Sequence, residues 1–191
     1  VNEVAVMNKP GILIVDDQPE ILNTMRRIFR KEYDVHTATG GQEALEILKE
    51  QDVAVILADQ RMPGMDGVTF LNRSLDIRPD AIRIMITGYA DIEASINAVN
   101  RGQIYQYISK PFEPDELKIV VRRARERFEI QQENKNLQER LIEANQALQN
   151  ENIELHRQVE KQLDLGNLIG HSPKMLQVFK LVRKVVDTPT T

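Results

Sequence analysis

The stretch Val53-Ala54-Val55-Ile56-Leu57-Ala58-Asp59 decides the fold, because six apolar residues end in a carboxylate and the chain then turns. Three of the six are β-branched, and Pro63-Gly64 follows as a turn signal. A short apolar run with this ending is typical of a strand buried on both faces, as strands of parallel sheets are. We expect Asp59 at the carboxyl end of this strand, where open α/β sheets carry their chemistry.

Similar segments lie on both sides of this strand. The predicted strands are residues 12–15, 33–37, 53–58, 82–87 and 104–108. Helical spacing of apolar residues predicts helices between them, at about residues 21–29, 44–48, 68–77 and 92–100. Strands and helices that alternate at this spacing predict an α/β fold with a doubly wound, five-stranded parallel sheet.

The composition excludes several classes of protein. A chain of 191 residues with 41% hydrophobic content can bury one core and carry an appendage. The net charge is −4, whereas nucleic-acid binders carry clusters of basic residues. We therefore expect no nucleic-acid contact through this segment. Cysteine is absent, and the sequence has no apolar run of membrane-spanning length and no signal peptide. We therefore expect a cytoplasmic protein with no membrane partner.

Residues 115–165 contain neither glycine nor proline, and this stretch predicts a long helix. A leucine recurs every seven residues, and asparagine or valine follows each leucine by four. The resulting seam consists of Leu141, Asn145, Leu148, Asn152, Leu155 and Val159. Asparagine at the a position of a coiled coil fixes its register and favours two parallel strands, so the seam predicts a parallel homodimer. A single solvated helix or a disordered segment is the alternative.

A second apolar seam precedes the first one in the same predicted helix. It consists of Val121, Ala124 and Phe128, and it does not stay in register with the leucines that follow. We therefore expect the seam to be interrupted near residues 131–138.

Five reactive side chains come at the ends of predicted strands. They are Asp16, Asp17, Asp59, Thr87 and, just after the last strand, Lys110. Three carboxylates offer the hard oxygen ligands that Mg²⁺ accepts, and the metal explains how they coexist. Lys110 can meet a phosphoryl oxygen, and Thr87 can donate a hydrogen bond to another. A single aspartate at a strand end is more often a turn residue, but this set suffices for phosphoryl transfer to a carboxylate.

Taken in order, these positions resemble the receiver domain of two-component response regulators. The matching residues are Asp16-Asp17, Asp59, Met62-Pro63-Gly64-Met65-Asp66-Gly67, Thr87-Gly88 and Lys110-Pro111. The resemblance covers about residues 10–128 and implies a flavodoxin-like sheet with the order 2-1-3-4-5. It also implies that Asp59 accepts a phosphoryl group from a sensor histidine kinase.

The resemblance assigns further roles. It implies that Mg²⁺ is held by Asp16, Asp17, Asp59 and the backbone carbonyl of Arg61. Thr87 and Tyr107 resemble the pair that reorients when a receiver is phosphorylated. The Lys110-Pro111 bond is expected to be cis, as it usually is in receivers.

The last stretch, Asn167-Leu168-Ile169-Gly170-His171-Ser172-Pro173, resembles the start of the central ATPase domain of sigma-54-dependent activators of the nitrogen-regulator kind. The chain ends before any phosphate loop of the G-x-x-x-x-G-K type, so we expect no ATPase activity from it. The predicted organisation is a receiver at residues 10–128, a coiled-coil linker at 129–165 and an incomplete ATPase domain at 166–191.

Three functions follow from these observations. The leading hypothesis is a phosphorylated regulatory module, not an enzyme, that signals through a dimeric helix to an ATPase acting on sigma-54 RNA polymerase at DNA. A receiver that controls an attached second-messenger phosphodiesterase is the first alternative, because residues 102–107 resemble receivers of that kind too. An inert receiver used only for dimerisation is the second.

Overall fold

The computed structural model describes residues 9–88 and 104–162 and the helical positions Gln177, Val178 and Leu181, with long-helix side chains described as far as Gln158. In chain order the elements are β1 (Gly11–Val15), α1 (Pro19–Phe29), β2 (Asp34–Ala38), α2 (Gly41–Glu50), β3 (Val55–Asp59), α3 (Gly67–Ile77), β4 (Ile82–Gly88), β5 (Ile104–Lys110) and α4 (Pro114–Gln162). The helix predicted at about residues 92–100 lies outside the described residues.

The strands form one parallel sheet with the order β2-β1-β3-β4-β5, which confirms the predicted flavodoxin-like fold. Each of the five strands begins or ends one or two residues from its predicted bounds. Two of these shifts concern the site, because β3 ends at Asp59 and β5 at Lys110, whereas the predicted strands ended at residues 58 and 108. The sheet therefore fixes the backbone from which both side chains extend.

The core consists of two apolar layers, one on each face of the sheet. Helices α1 and α4 cover one face, where Met25 and Leu117 pack with Leu57 of the central strand. Helices α2 and α3 cover the other face, where Leu48 and Phe70 are fully buried. Because both faces are covered, β1 and the part of β3 before Asp59 are apolar and buried, as the sequence of residues 53–58 predicted.

The turn from β3 into α3 brings the start of α3 close to the backbone of Asp59, the last residue of β3. Gly64 has a φ of 79°, which favours glycine, and Asp66 caps α3 by accepting a hydrogen bond from the Thr69 amide at 2.7 Å. A Cβ atom on Gly67 would lie 2.1 Å from the carbonyl oxygen of Asp59. Only glycine therefore fits where α3 starts against the end of β3.

Helix α4 runs without a break from Pro114 to Gln162. The helix has no break at residues 131–138, where we expected the seam to be interrupted. The upstream seam lies within the receiver, where Val121 and Ala124 are fully buried in the core and Phe128 packs against it. They belong to the apolar layer between the sheet and helices α1 and α4.

Two compact units share the chain, and the division between them falls after Gln138. The first unit includes Lys135, which contacts Asp80 in the loop between α3 and β4 at 3.1 Å. Most of the segment at residues 166–191, including its ATPase-like start, lies outside the described residues. None of the helices in the described part of the chain is long and apolar enough to cross a membrane.

Candidate functional site

Asp59 is held from two sides at the carboxyl edge of the sheet. Its Oδ1 lies 2.5 Å from the Lys110 ammonium, and its Oδ2 accepts a hydrogen bond from the Arg61 amide at 2.8 Å. The residue is 6% exposed, which leaves its carboxylate reachable but fixed in orientation. A carboxylate held in this way is suited to act as a nucleophile.

Lys110 joins Asp59 to a second carboxylate. Its Nζ lies 2.7 Å from Asp16 Oδ2, and Asp16 Oδ1 accepts a hydrogen bond from the Gln18 amide at 2.9 Å. Burial acts to lower the pKa of Lys110, but the hydrogen bonds and negative charges of Asp16 and Asp59 outweigh burial and raise it. The ammonium is therefore charged at neutral pH and neutralises part of the acidic edge.

The chain direction after Lys110 depends on the next peptide bond. The Lys110–Pro111 bond is cis, the form that the sequence predicted. Lys110 pairs in the sheet with Gly88, the residue after Thr87, so β4 and β5 together fix the base of its side chain.

A metal at this edge was predicted from three carboxylates. Among the described residues, no three acidic or histidine side chains are grouped closely enough to hold a metal ion, and the Lys110 ammonium contacts both Asp16 and Asp59. The charges nevertheless fit a divalent cation. Asp16, Asp17 and Asp59 carry three formal negative charges against one positive charge on Lys110, and all three offer the oxygen ligands that Mg²⁺ accepts. The carbonyl of Arg61 is a further predicted ligand, and its role stays a prediction.

Thr87 lies at the end of β4 beside this group and is 1% exposed. Its hydroxyl donates a hydrogen bond to Oε1 of Gln60, the residue directly after Asp59. The carbonyl of Gly88, at 3.2 Å, is its second acceptor. Gln60 belongs to no sequence motif of its own, and only its position next to Asp59 could have suggested a role at the site.

Tyr107, the predicted partner of Thr87 in the switch, lies in β5 opposite Met85. Alternation along the strands puts Tyr107 and Thr87 on the same face of the sheet, two positions apart. The Tyr107 ring is half-buried against the apolar layer under α2 and α3, and burial raises the pKa of its phenol. Its role as a switch stays a prediction.

The predicted coiled-coil seam lies on the outer part of α4. Leu141, Leu148 and Leu155 are each more than half exposed in the single chain. Asn145 and Asn152 are exposed on the same helix, and the side chain of Val159 lies outside the described residues. Three large leucines at heptad spacing form an apolar stripe without a cover from the described part of this chain.

Comparisons with known proteins agree with this geometry. The family described as "Response regulator receiver domain" matches residues 12–122. The chain is 34% identical over 178 residues to the hydrogenase transcriptional regulatory protein HoxA of Bradyrhizobium diazoefficiens, covering 92% of this chain and 36% of HoxA. It is 32% identical over 180 residues to the DNA-binding transcriptional regulator NtrC of Escherichia coli, covering 94% of this chain and 34% of NtrC.

A solved structure matches the receiver part. It is the signal receiver domain of an HD domain-containing protein from Pseudomonas fluorescens Pf-5, with a TM-score of 0.63 and 34% identity over 70% of this chain and 98% of that one. The chain spans about a third of the length of the curated relatives HoxA and NtrC. Its fold, its acidic edge and its family match agree, and the chain belongs to the family of response regulator receiver domains.

Proposed function

We propose that this chain is a phosphorylation-controlled regulatory module in which Asp59 accepts a phosphoryl group from a sensor histidine kinase. The observation that carries the proposal is the position of the Asp59 carboxylate between the Lys110 ammonium, at 2.5 Å, and the Arg61 amide, at 2.8 Å. These donors orient a carboxylate at the accessible edge of the sheet and offer positive charge where a phosphoryl group arrives.

The transfer exchanges one bond to phosphorus for another. A carboxylate oxygen of Asp59 forms a bond to phosphorus while the bond between phosphorus and the imidazole nitrogen of the kinase breaks. That nitrogen keeps the electron pair and regains a proton from water. Lys110 meets the added negative charge, and the Thr87 hydroxyl can donate to a phosphoryl oxygen. Asp16, Asp17, Asp59 and the Arg61 carbonyl would hold Mg²⁺, which would supply further neutralisation of phosphoryl charge.

The direct test incubates the chain with acetyl phosphate and Mg²⁺ and measures its intact mass. The parent should gain one phosphoryl group, and Asp59→Asn should gain none, because an amide cannot form the acyl phosphate. The matched control is Asp66→Asn, since an asparagine side chain can still cap α3 and should leave the gain of mass unchanged. A full phosphoryl adduct on Asp59→Asn would place the nucleophile elsewhere and overturn the proposal.

The proposed output is transcription. Two curated relatives that match over more than 90% of this chain are named transcriptional regulators, so their similarity extends beyond the receiver into the helix and the segment after it. We infer that α4 forms a parallel homodimer through its leucine stripe and joins the receiver to an ATPase domain that acts on sigma-54 RNA polymerase at DNA. Such a regulator works in the cytoplasm, where the DNA is.

A receiver attached to a second-messenger phosphodiesterase is the second candidate. It is favoured by the likeness to the receiver of the Pseudomonas fluorescens HD domain-containing protein. That likeness covers 70% of this chain, whereas the match to HoxA covers 92% and includes the linker helix. The longer match favours the transcriptional output. A phosphate loop in the sequence that follows residue 191 would support it, and a His-Asp metal motif would support the phosphodiesterase.

A further inference from the structure

We propose that Gln60 holds the Thr87 hydroxyl in the unphosphorylated state and thereby opposes phosphorylation, so that it is a positioning residue for the site. The inference rests on the proposed function of Asp59 as phosphoryl acceptor. It starts from the hydrogen bond that Thr87 Oγ1 donates to Gln60 Oε1.

The Thr87 hydroxyl has one hydrogen to donate, and this hydrogen cannot serve two acceptors at full strength. While Gln60 accepts it, it is not available to a phosphoryl oxygen on Asp59. Thr87 is 1% exposed, so water does not offer an easy alternative partner. Phosphorylation therefore requires that the hydroxyl exchange one acceptor for another.

The backbone of Gln60 is fixed next to the strand that carries Thr87. Its amide donates to the Ile86 carbonyl at 2.9 Å, and its carbonyl accepts from the Gly67 amide at 3.0 Å. These bonds tie Gln60 to the strand that carries Thr87 and to the start of α3. The point from which the Gln60 side chain extends is therefore fixed, and the carboxamide oxygen reaches Thr87 from there.

The Gln60 side chain also lines an open cleft with Asp17, Arg61 and Met62. Water in this cleft can bind the carboxamide oxygen when the Thr87 hydrogen leaves it. The exchange therefore costs about the net value of one protein hydrogen bond rather than the full cost of a buried, unsatisfied acceptor. A contact of this strength shifts the balance between the two states without preventing phosphorylation.

The test is a double-mutant cycle with Gln60→Leu and Thr87→Val, read as the affinity for beryllofluoride in the presence of Mg²⁺. In the parent background, Gln60→Leu should lower the dissociation constant about threefold to tenfold, because Thr87 no longer has to leave this acceptor. In the Thr87→Val background the same substitution should change the affinity less than twofold. A purely structural role for Gln60 predicts the same change in both backgrounds.

Two outcomes separate the inference from the function on which it rests. Parent protein that binds beryllofluoride, with Gln60→Leu giving equal changes in both backgrounds, overturns the role of Gln60 and leaves Asp59 as the acceptor. Parent protein that neither binds beryllofluoride nor gains mass with acetyl phosphate overturns the proposed function itself. Thermal unfolding of all four proteins without Mg²⁺ identifies any variant whose affinity changes because it is partly unfolded.

Discussion

The Lys110 ammonium lies 2.7 Å from Asp16 Oδ2, although 94 residues separate these two residues in the chain. The same ammonium lies 2.5 Å from Asp59 Oδ1, so one cation holds together two carboxylates from different strands. Because the pKa of Lys110 is raised above its ordinary value of 10.5, this stabilisation is fully present at neutral pH. It is lost only as the pH rises through the folded-state pKa.

Replacing Lys110 by Met should therefore lower the free energy of unfolding at pH 7 by about 1.5–3 kcal/mol, since two nearly buried carboxylates lose their shared partner. Mg²⁺ should raise the melting temperature of this variant more than that of the parent, because a divalent cation restores the missing charge. Urea unfolding and thermal scans with and without Mg²⁺ provide the measurements.

The control for this prediction is Lys118→Met. Lys118 pairs with Asp115 at 3.0 Å on the exposed surface of α4, where an ion pair contributes little. Its loss should change stability by less than about 0.5 kcal/mol and leave the effect of Mg²⁺ unchanged. Equal behaviour of the two lysine variants would mean that Lys110 does not neutralise the site.

Gly67 offers a second prediction, because it lies where α3 starts against the backbone of Asp59. A Cβ atom there would come within 2.1 Å of the Asp59 carbonyl oxygen, so Gly67→Ala must displace one of the two elements. We expect a loss of about 1–3 kcal/mol in stability and slower phosphorylation by acetyl phosphate. Gly40→Ala is the matched control, since nothing lies within 4 Å of its added Cβ. Normal phosphorylation of Gly67→Ala would show that Asp59 tolerates movement of this turn.

The sequence predicted the parts of the site that follow from strand ends. Once Asp16, Asp59 and Lys110 are assigned to the carboxyl ends of parallel strands, the geometry of the sheet brings them to one edge. The order of the strands came from resemblance to receivers and not from apolar spacing. The hydrogen bond between Thr87 and Gln60 depends on side-chain rotamers, which no pattern of residue types encodes.

The packing partners of two buried groups could not be predicted from the sequence, for a different physical reason. The spacing of Val121, Ala124 and Phe128 indicates an apolar stripe on a helix. A helix that packs on a sheet and a helix that packs on a second helix have almost the same apolar spacing, so the spacing does not identify the packing partner. Arg83 lies in an apolar run and is 2% exposed, because its guanidinium donates to Ser74 Oγ at 2.8 Å and to the Ala81 carbonyl at 2.6 Å. A pattern shows that a residue is buried and not which groups bury it.

The leucine stripe of α4 leads to a third prediction. If it holds a parallel homodimer, replacing Leu141, Leu148 and Leu155 together by Ala should convert the dimer to a monomer in sedimentation experiments, because each leucine removes apolar surface from water only in the dimer. The control is the double substitution of Ile142 and Ile153 by Ala. These isoleucines are 57% and 67% exposed but lie off the seam, so this variant should stay dimeric.

The asparagines of the seam test the direction of pairing. Replacing both Asn145 and Asn152 by Leu should raise the melting temperature and loosen the control of oligomeric state, since polar a positions select one register at a cost in stability.

The leucine prediction has its own contradicting outcome. A variant with Leu141, Leu148 and Leu155 replaced by Ala that dimerises as tightly as the parent would show that the receivers and not the helix hold the pair together.

The last prediction concerns the contact that ties α4 to the loop before β4. Lys135 lies 3.1 Å from Asp80, and the hydrogen bonds from Gln132 and Lys135 lower the pKa of Asp80 below its ordinary value of 3.8. A carboxyl group with a lowered pKa stabilises the fold above its unfolded-state pKa and loses this effect as the pH falls through the folded-state pKa. The contact should therefore hold residues 131–138 against the receiver at pH 7 and release them only as the pH falls through the folded-state pKa of Asp80, which lies below 3.8.

Lys135→Met should speed amide hydrogen exchange in residues 131–138 at pH 7 while leaving exchange in β3 unchanged. A double-mutant cycle with Asp80→Asn should give a coupling energy of about 0.5 kcal/mol at pH 7, as for other exposed ion pairs, and a smaller one as the Asp80 carboxyl group is protonated in acid. Lys49→Met is the control, because Lys49 pairs with Glu46 within α2 and joins no two elements. Unchanged exchange in Lys135→Met would mean that apolar packing of Phe128, and not the ion pair, fixes where α4 leaves the receiver.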